Sequence, residues 1–516
     1  MNDTWAPAVE CCQTECRDPA GPEFASSNVN LLGRVTIEDF ATFNGSPGDP
    51  HTANEMWGFT SSSGRDYAII GFTTGTGIVE ITDPRAPIIV AYIGGGGVDT
   101  IWRDMATYQD HLYIVTDGTG VGLQIVDLSA VDEGVAPLIT TTGLGMGFVD
   151  AHNVYVNPDS GFLYLPLANL NAGRGFLVFS LSDPANPQHA GTWTDTQSSV
   201  RCHDLQVTTL TRAPYAGKEI ALCFAENRGL RIVDVTSKSL MSRLATLTYK
   251  DNRYCHQGWI SEDERFVFFG DELDELDGFV PLTTTYIANI EDLTAPFMAT
   301  TYEHPGCWID HNLMPRGDRV YQAHYQAGMR VLDVADPTNP SEVGFFDTHP
   351  EDNGRGFSAV WGVFAGYQRR AVTASDGERG LFILCDRPER PIAGFVVDGN
   401  LAPVGTPVLF DGSGSTTCDP DRSVVTYEWD FEYDGATFGV AATGSSAAHA
   451  FAAAGVHTVA LRVTDDLGAQ DVVAFDVTAT DAIPTVSQWG LIALALALLV
   501  GGTIVLGRRR AVEAGA

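Results

Sequence analysis

Residues 152–193 read HNVYVNPDSGFLYLPLANLNAGRGFLVFSLSDPANPQHAGTW, and this stretch decides the fold. Short apolar segments alternate with turns rich in Asn, Asp, Gly and Pro, a pattern that predicts four antiparallel strands. Asp183-Pro184 ends the third segment, because proline cannot donate a hydrogen bond to a neighbouring strand. The stretch therefore predicts one small four-stranded sheet.

The third segment of this unit recurs along the chain as an apolar run with an acidic or small polar residue inside it. The copies lie about 45 to 55 residues apart, the period of propeller blades. They start at Ile78, Ile125, Leu177, Ile232, Tyr286, Val331 and Phe382. These copies predict an all-β fold with a seven-bladed β-propeller over residues 28–388.

The two ends of the repeat region predict how such a ring closes. The segment Asn30–Val35 resembles a fourth strand without its three predecessors, whereas the last unit stops after its third strand near Cys385. We expect the N-terminal strand to complete the last blade, because this pairing removes exposed strand edges.

Charge and cysteine content narrow the function classes. The formal charge is −35, from 65 acidic and 30 basic residues, so nucleic acid is not expected as a partner. The nine cysteines contain no CxxC pair, which disfavours a thiolate zinc site. Three of them lie in the N-terminal segment 1–27. If the chain is exported, Cys202 is expected to pair with Cys223 or Cys255.

A second unit follows at residues 390–480. Apolar and polar residues alternate between Gly and Asp turns, which predicts a small β-sandwich. The segment Tyr427-Glu428-Trp429-Asp430-Phe431 resembles the signature of PKD domains, which are immunoglobulin-like modules. The resemblance implies a spacer or a weak binder of protein or glycan, and we expect a stalk between the propeller and the membrane.

The C-terminus predicts a membrane anchor. Residues Trp489 to Leu506 carry no charge and precede Arg508, Arg509 and Arg510, a pattern typical of a transmembrane helix whose basic end is cytoplasmic. Residues 483–510, which begin Ile-Pro-Thr-Val, resemble the IPTL-type C-terminal sorting signal. The resemblance implies export to the cell envelope and anchoring or processing by sorting machinery. Residues 1–30 lack a signal peptide, so we expect the true start to lie upstream.

Several short sequence segments between residues 28 and 386 resemble those of the choice-of-anchor B family of LVIVD-repeat proteins. Among them are His203-Asp204-Leu205, His256-Gln257-Gly258-Trp259 and Asp310-His311-Asn312. The resemblance implies an extracellular body joined to an exchangeable C-terminal anchor. It implies no biochemical activity.

Alignment of the units places a distinctive residue near the start of each first strand: Trp57, Arg103 or Asp104, His152, His203, His256, His311 and Trp361. First strands line the central channel of a propeller, so the four histidines are expected at one mouth. They predict a transition-metal site with Asp204, Asp310 or Glu272 as additional or outer ligands. The alternative is that each histidine bridges neighbouring blades by hydrogen bonds. For Trp57, Arg103, Asp104 and Trp361 we expect a structural role at the mouth.

The acidic run Asp271-Glu272-Leu273-Asp274-Glu275 is a candidate for calcium binding through carboxylates. It lacks the Asp-x-Asp-x-Asp-Gly pattern of calcium loops, so a solvated structural turn is the alternative.

The sequence contains no Gly-x-Ser-x-Gly, P-loop or His-Glu-x-x-His motif. We therefore expect a non-enzymatic surface protein that binds protein or glycan or acts as a scaffold. A metal-dependent extracellular enzyme that uses the histidines is one alternative, and a purely structural surface component is another.

Overall fold

A computed structural model describes residues 23–43, 51–169, 175–195, 200–351, 354–398 and 402–481. Their secondary structure is almost entirely β. The chain enters through β1 (Ser26–Ser27), β2 (Asn30–Val35) and a short helix, α1 (Ile37–Thr42). Thr36 caps α1, since its hydroxyl accepts a hydrogen bond from the Asp39 amide while the Asp39 carboxylate accepts one from the Thr36 amide.

Seven antiparallel sheets follow, each built mainly from four consecutive strands. We number them 1 to 7 in chain order. Sheet 1 contains β3 (Ala53–Thr60), β4 (Asp66–Phe72), β5 (Gly75–Glu80) and β6 (Ile88–Gly94); sheet 2 contains β7 (Arg103–Tyr108), β8 (His111–Thr116), β9 (Leu123–Asp127) and β10 (Leu138–Thr142); sheet 3 contains β11 (Tyr155–Asn157), β12 (Phe162–Pro166), β13 (Phe176–Ser180) and β14 (Gln188–Trp193).

The remaining sheets repeat this order. Sheet 4 contains β15 (Asp204–Thr209), β16 (Glu219–Phe224), β17 (Leu230–Asp234) and β18 (Ser242–Leu247); sheet 5 contains β19 (Cys255–Ile260), β20 (Phe266–Asp271), β21 (Thr284–Asn289) and β22 (Phe297–Glu303); sheet 6 contains β23 (Leu313–Arg316), β24 (Arg319–Ala323), β25 (Met329–Asp333) and β26 (Ser341–Phe346); sheet 7 contains β27 (Val360–Phe364), β28 (Val372–Asp376) and β29 (Gly380–Cys385).

The first strands of the seven sheets meet in cyclic order. Each one, from β3 to β23, contacts the first strand of the next sheet, and β27 of sheet 7 contacts β3 of sheet 1. The sheets therefore form a closed ring around a central channel. The apolar segment that recurs in each unit lies in the third strand of its sheet. Both faces of this strand are buried between neighbouring sheets, which explains the continuous apolar character of the segment.

The predicted pairing of the N-terminal strand is confirmed. Strand β2 pairs antiparallel with β29, from Asn30 opposite Cys385 to Val35 opposite Leu381, and supplies the fourth strand of sheet 7. Strand β1 adds to the outer edge of sheet 6 through Ser26 and Phe346. The N-terminal segment thus joins two consecutive sheets at the point where the ring closes.

The second unit is a β-sandwich, as predicted. Its strands are β30 (Pro391–Ile392), β31 (Val396–Val397), β32 (Ala402–Pro403), β33 (Val408–Asp411), β34 (Thr416–Thr417), β35 (Val424–Asp430), β36 (Ala442–Thr443), β37 (Ser446–His449), β38 (Gly455–Asp465) and β39 (Gln470–Thr480). Trp429 is fully buried in its core and packs against Phe395 and Phe410.

The sandwich packs directly against the ring. The buried Arg369, in the loop between β27 and β28, forms an ion pair with Asp66 of sheet 1 at 3.4 Å and donates to the carbonyl of Phe395 in the sandwich. Arg370 pairs with Asp471 of β39. Because strands alternate in direction, these loops lie at the end of the ring opposite the starts of the first strands.

Two disulfides have both of their cysteines among the described residues. Cys202 pairs with Cys223, so Cys255 remains a buried free thiol, and Cys385 of sheet 7 pairs with Cys418 of the sandwich. No helix within the described residues has the length and apolar character needed to cross a membrane. The apolar segment predicted to do so, residues 489–506, lies outside the described residues, as do Cys11, Cys12 and Cys16.

Candidate metal centre

The four predicted histidines form one continuous row at the mouth of the channel. Ring centroids are 4.6 Å apart for His152 and His203, 4.3 Å for His203 and His256, and 4.5 Å for His256 and His311. His256 is the second residue of β19, and the other three histidines lie one to three residues before the first strand of their sheets, so the regular advance of the ring places the imidazoles side by side. Trp361 continues the row from His311 at 5.0 Å.

Hydrogen bonds between neighbouring sheets fix two of these rings. His203 Nδ1 lies 3.2 Å from the carbonyl oxygen of His256, and His311 Nδ1 contacts the carbonyl oxygen of Trp361. A carbonyl only accepts, so each Nδ1 carries the proton and each Nε2 keeps its lone pair free. The bridging role and a ligand role are therefore compatible, since they use different nitrogens of the same ring.

Glu272 brings a carboxylate between two of the histidines. Its Oε2 lies 3.6 Å from His256 Nε2, and its Oε1 lies 3.9 Å from His311 Nε2. One ligand atom from each of His256, Glu272 and His311 lies within 4.8 Å of the other two. Two ligand atoms bound to tetrahedral zinc are about 3.3 Å apart, so the most widely separated of these atoms would have to approach by up to about 1.5 Å for coordination. The Tyr325 hydroxyl donates to Glu272 Oε1 at 2.8 Å and orients the carboxylate.

Burial keeps the imidazoles of His203, His256 and His311 neutral. It lowers the pKa of His311 to about 3 and holds the pKa values of His203 and His256 well below the ordinary value. Burial also raises the pKa of Glu272 to about 7. Neutral imidazole is the form that binds metals. His256 Nδ1 is buried and has no hydrogen-bond partner among the residues that the structure describes.

A pocket of about 470 Å³ opens above the row. Its lining combines the four histidines and Glu272 with Tyr254, Tyr325 and Trp361, and its rim carries the exposed side chains of Ile101, Trp102 and Phe357 together with Arg201. This volume and this mixture of aromatic and convergent polar groups are typical of a small-molecule site.

A second, smaller cavity of about 50 Å³ lies in the channel below the histidines. Three carboxylates line it, those of Glu55, Asp104 and Asp204, together with the amides of Asn153, Gln257 and Asn312. Burial and the proximity of like charges raise the pKa values of Glu55 and Asp104 well above the ordinary value, and burial raises that of Asp204 to about 7. We call this cavity the throat.

Several residues expected at the mouth lie elsewhere. Trp57 lines the throat and the opposite opening, where its ring is 6.3 Å from that of Trp259. A bulge interrupts the pairing at the same point of sheets 1 and 5, so Asn54 and Glu55 of sheet 1 occupy the place of His256 and Gln257 of sheet 5. Asp104 and Asp204 face the throat, so neither joins the histidine site. Arg103, by contrast, lines a small cavity with the four histidines, and its Nε donates to the carbonyl of Phe72 in sheet 1 at 3.1 Å.

The remaining predicted acidic residues separate into two groups. Asp271 accepts hydrogen bonds from the side chains of Tyr249 and Asn252 and from the amides of Arg253 and Tyr254, so it organises the loop that carries Tyr254. Asp310 lies away from the imidazoles and close to the carboxylates of Asp274 and Glu275.

Sequence reasoning missed Glu55, Tyr254 and Tyr325. Glu55 follows Asn54 just as Asp204 follows His203, so the dipeptide pattern itself could have identified it. Tyr325 lies in the turn between β24 and β25, a position that the strand pattern does not connect to the channel.

Comparison with known families identifies three parts of the chain. Residues 313–348 match the LVIVD repeat, residues 388–479 match the PKD domain, and residues 481–510 match the IPTL-CTERM motif. The chain therefore combines an LVIVD-repeat region, a PKD domain and a C-terminal sorting signal. This combination indicates an exported, envelope-associated surface protein.

Some solved structures are similar to a small part of the chain, and others are similar to most of it. The PKD1 domain of Vibrio anguillarum Epp matches 18% of this chain and 96% of its own length, with 27% identity and a TM-score of 0.15. The extracellular domain of a putative one-component system, BT4673 from B. thetaiotaomicron, matches 88% of this chain and 60% of its own length, with 11% identity and a TM-score of 0.43. A protein from Lactobacillus plantarum matches 68% of this chain, with coverage of 92% of its own length, 12% identity and a TM-score of 0.43.

Proposed function

We propose that the seven sheets are the blades of a β-propeller and that its mouth binds a divalent transition metal through His256, Glu272 and His311. The observation that carries the proposal is the carboxylate of Glu272 lying 3.6 and 3.9 Å from two neutral imidazole nitrogens. Two histidines and one carboxylate suit zinc, iron or manganese.

The metal would hold a ligand at the surface. Three protein ligands leave coordination positions that face the pocket of about 470 Å³, where Trp102 and Phe357 are exposed. An oxygen or nitrogen of an extracellular glycan or protein would complete the coordination shell, and the aromatic rim would pack against the rest of that partner. The PKD domain packs on the opposite face, so it leaves this mouth uncovered. The protein is then a metal-dependent surface-binding module attached through its C-terminal signal.

Cobalt(II) substitution tests the metal site. Cobalt bound by imidazole and carboxylate gives visible absorption bands that depend on its ligands, and cobalt follows zinc and iron into such sites. We expect the bands in the wild-type chain and in His189→Ala, which removes an exposed histidine of sheet 3. They should be absent in His256→Ala and in Glu272→Gln, whose amide still accepts from Tyr325. Identical spectra in all four proteins would refute the site.

Arrays of extracellular polysaccharides and proteins test the binding role. Binding should be lost on chelation with EDTA, restored by zinc, and weakened by Trp102→Ala. Binding that is indifferent to EDTA would separate the partner from the metal and contradict the proposal.

A second candidate is a metal-dependent extracellular enzyme. It is favoured by the three-ligand set, because catalytic zinc sites keep an open position for water whereas structural sites close all four positions. Ester hydrolysis by the zinc-loaded chain, measured with p-nitrophenyl acetate, should then exceed that of Glu272→Gln. Equal rates for the two proteins would remove the support for zinc hydrolysis.

A further inference from the structure

A second cluster of buried carboxylates lies beside the mouth and is chemically distinct from it. Asp274 and Glu275 belong to the loop between β20 and β21, and Asp310 precedes His311 at the start of sheet 6. One carboxylate oxygen from each residue lies within 4.8 Å of the other two. Asp274 and Glu275 are fully buried, and Asp310 is 4% exposed.

Four oxygens of this cluster receive no hydrogen bond from a donor in the described part of the chain. They are Asp274 Oδ1, both carboxylate oxygens of Glu275, and Asp310 Oδ1. A buried carboxylate without a donor or a cation is strongly unfavourable, because water no longer solvates its charge. Glu275 therefore has its side-chain partner within the cluster, at Asp274, and receives no donor from the other described residues.

A glycine and a tyrosine beside the cluster allow its carboxylates to lie close together. A Cβ atom on Gly270 would lie 1.9 Å from Asp310 Oδ2, so only glycine permits this carboxylate to lie against the end of β20. On the other side, the Tyr286 hydroxyl donates to Asp274 Oδ2 at 2.6 Å and directs Oδ1 toward the cluster. One carboxylate oxygen from each of the three residues consequently lies close to the other two, across the boundary between sheets 5 and 6.

We propose that Asp274, Glu275 and Asp310 bind a calcium ion that ties the loop of sheet 5 to the start of sheet 6. Calcium takes oxygen ligands at about 2.3 to 2.6 Å, so two oxygens on one ion lie at most about 5 Å apart, and the cluster fits within this limit. The absence of imidazole and thiolate from the three residues favours calcium over zinc or copper.

The position of the ion gives it a structural consequence. Glu272 lies two residues before Asp274, and His311 directly follows Asp310. Calcium at the cluster would therefore hold the two chain segments that supply a carboxylate and an imidazole to the mouth. The calcium site itself uses none of the mouth ligands, so it stands even if the mouth binds no metal.

Terbium luminescence tests the site directly. Terbium(III) replaces calcium at oxygen sites and is excited through a nearby tyrosine, here Tyr286, whose hydroxyl contacts Asp274. With the full chain freed of metals by EDTA and kept at physiological ionic strength, we expect terbium emission that calcium displaces. Glu275→Gln should weaken calcium binding by at least about tenfold. Glu303→Gln, which removes an exposed carboxylate of the same protein, should leave binding unchanged.

Thermal unfolding provides a readout that does not depend on terbium. Calcium should raise the Tm of the wild-type chain and of Glu303→Gln, because a ligand that binds only the folded state stabilises it. The rise should be absent in Glu275→Gln and in Asp310→Asn, both of which should fold because each substitution removes one buried negative charge. A wild-type chain that neither binds calcium nor gains stability from it would overturn the proposal. A calcium response retained in both variants would do the same.

Discussion

The ion pair between Arg369 and Asp66 should control how firmly the PKD domain is held against the ring. Both side chains are buried, with 5% and 2% exposure, and Arg369 also donates to carbonyl oxygens of Thr82, Gly64 and Phe395. Removing one partner of a buried pair typically costs about 3 to 5 kcal/mol, because the other charge stays buried and unpaired. We expect Arg369→Ala to lower the free energy of unfolding by an amount in this range.

A neighbouring arginine provides the matched control. Arg65 precedes Asp66 and pairs with Glu80 at 3.4 Å, but its side chain is 38% exposed. Exposed pairs contribute about 1 kcal/mol or less, so Arg65→Ala should have a small effect. Urea unfolding followed by tryptophan fluorescence would measure both variants. Equal effects of the two substitutions would refute the reasoning.

The loss in Arg369→Ala should also depend on pH. Burial raises the pKa of Asp66, and Arg369 opposes that rise. Without Arg369 the folded-state pKa should rise further above the unfolded value, so the folded variant binds a proton more readily than the unfolded chain. Stability is then lost as pH increases from the unfolded pKa through the folded pKa. The difference between Arg369→Ala and wild type should be smaller near about pH 5 than near about pH 8. A pH-independent difference would contradict the assignment to Asp66.

Three further predictions concern the ring and its attachments. Deletion of residues 28–37 removes β2 and should lower the Tm, because sheet 7 loses its fourth strand; a truncated chain that melted like the parent would refute closure by this strand. Cys385→Ser should increase proteolysis between the ring and the PKD domain, since the Cys385–Cys418 disulfide joins them, whereas Cys255→Ser should leave the cleavage pattern unchanged. Trp57→Ala should lower the Tm but spare cobalt binding, because Trp57 packs at the opposite opening; loss of the cobalt spectrum in a folded protein would contradict this placement.

The sheets and the ring closure could be predicted from local pattern, whereas the register of single residues could not. The recurring apolar segment identifies the third strands because these strands are buried on both faces. The Asp-Pro pairs identify where such strands end, because proline cannot donate a hydrogen bond. The error at Trp57 was one of register: Asn54 of sheet 1 stands in the place of His256 of sheet 5, so Trp57 corresponds to Trp259 and lies farther along the channel.

The candidate site was predicted only in part, for a similar reason. The histidines share one repeat position, so their proximity follows from symmetry. The approach of Glu272 to His256 and His311 depends on the path of a loop after β20, and no repeat constrains that path. Likewise, the sequence allowed Cys202 to pair with Cys223 or Cys255, and only the antiparallel register of β15 and β16 decides between them.

The most direct test of the central claim is a zinc titration of the metal-free full chain by isothermal calorimetry, in excess calcium. The account predicts binding of about one equivalent of zinc per chain by wild type and by His189→Ala, and at least about a tenfold loss of affinity in Glu272→Gln and His311→Ala. Zinc binding with the same affinity in Glu272→Gln and wild type, or no zinc binding by the wild-type chain, would contradict a metal centre at the mouth.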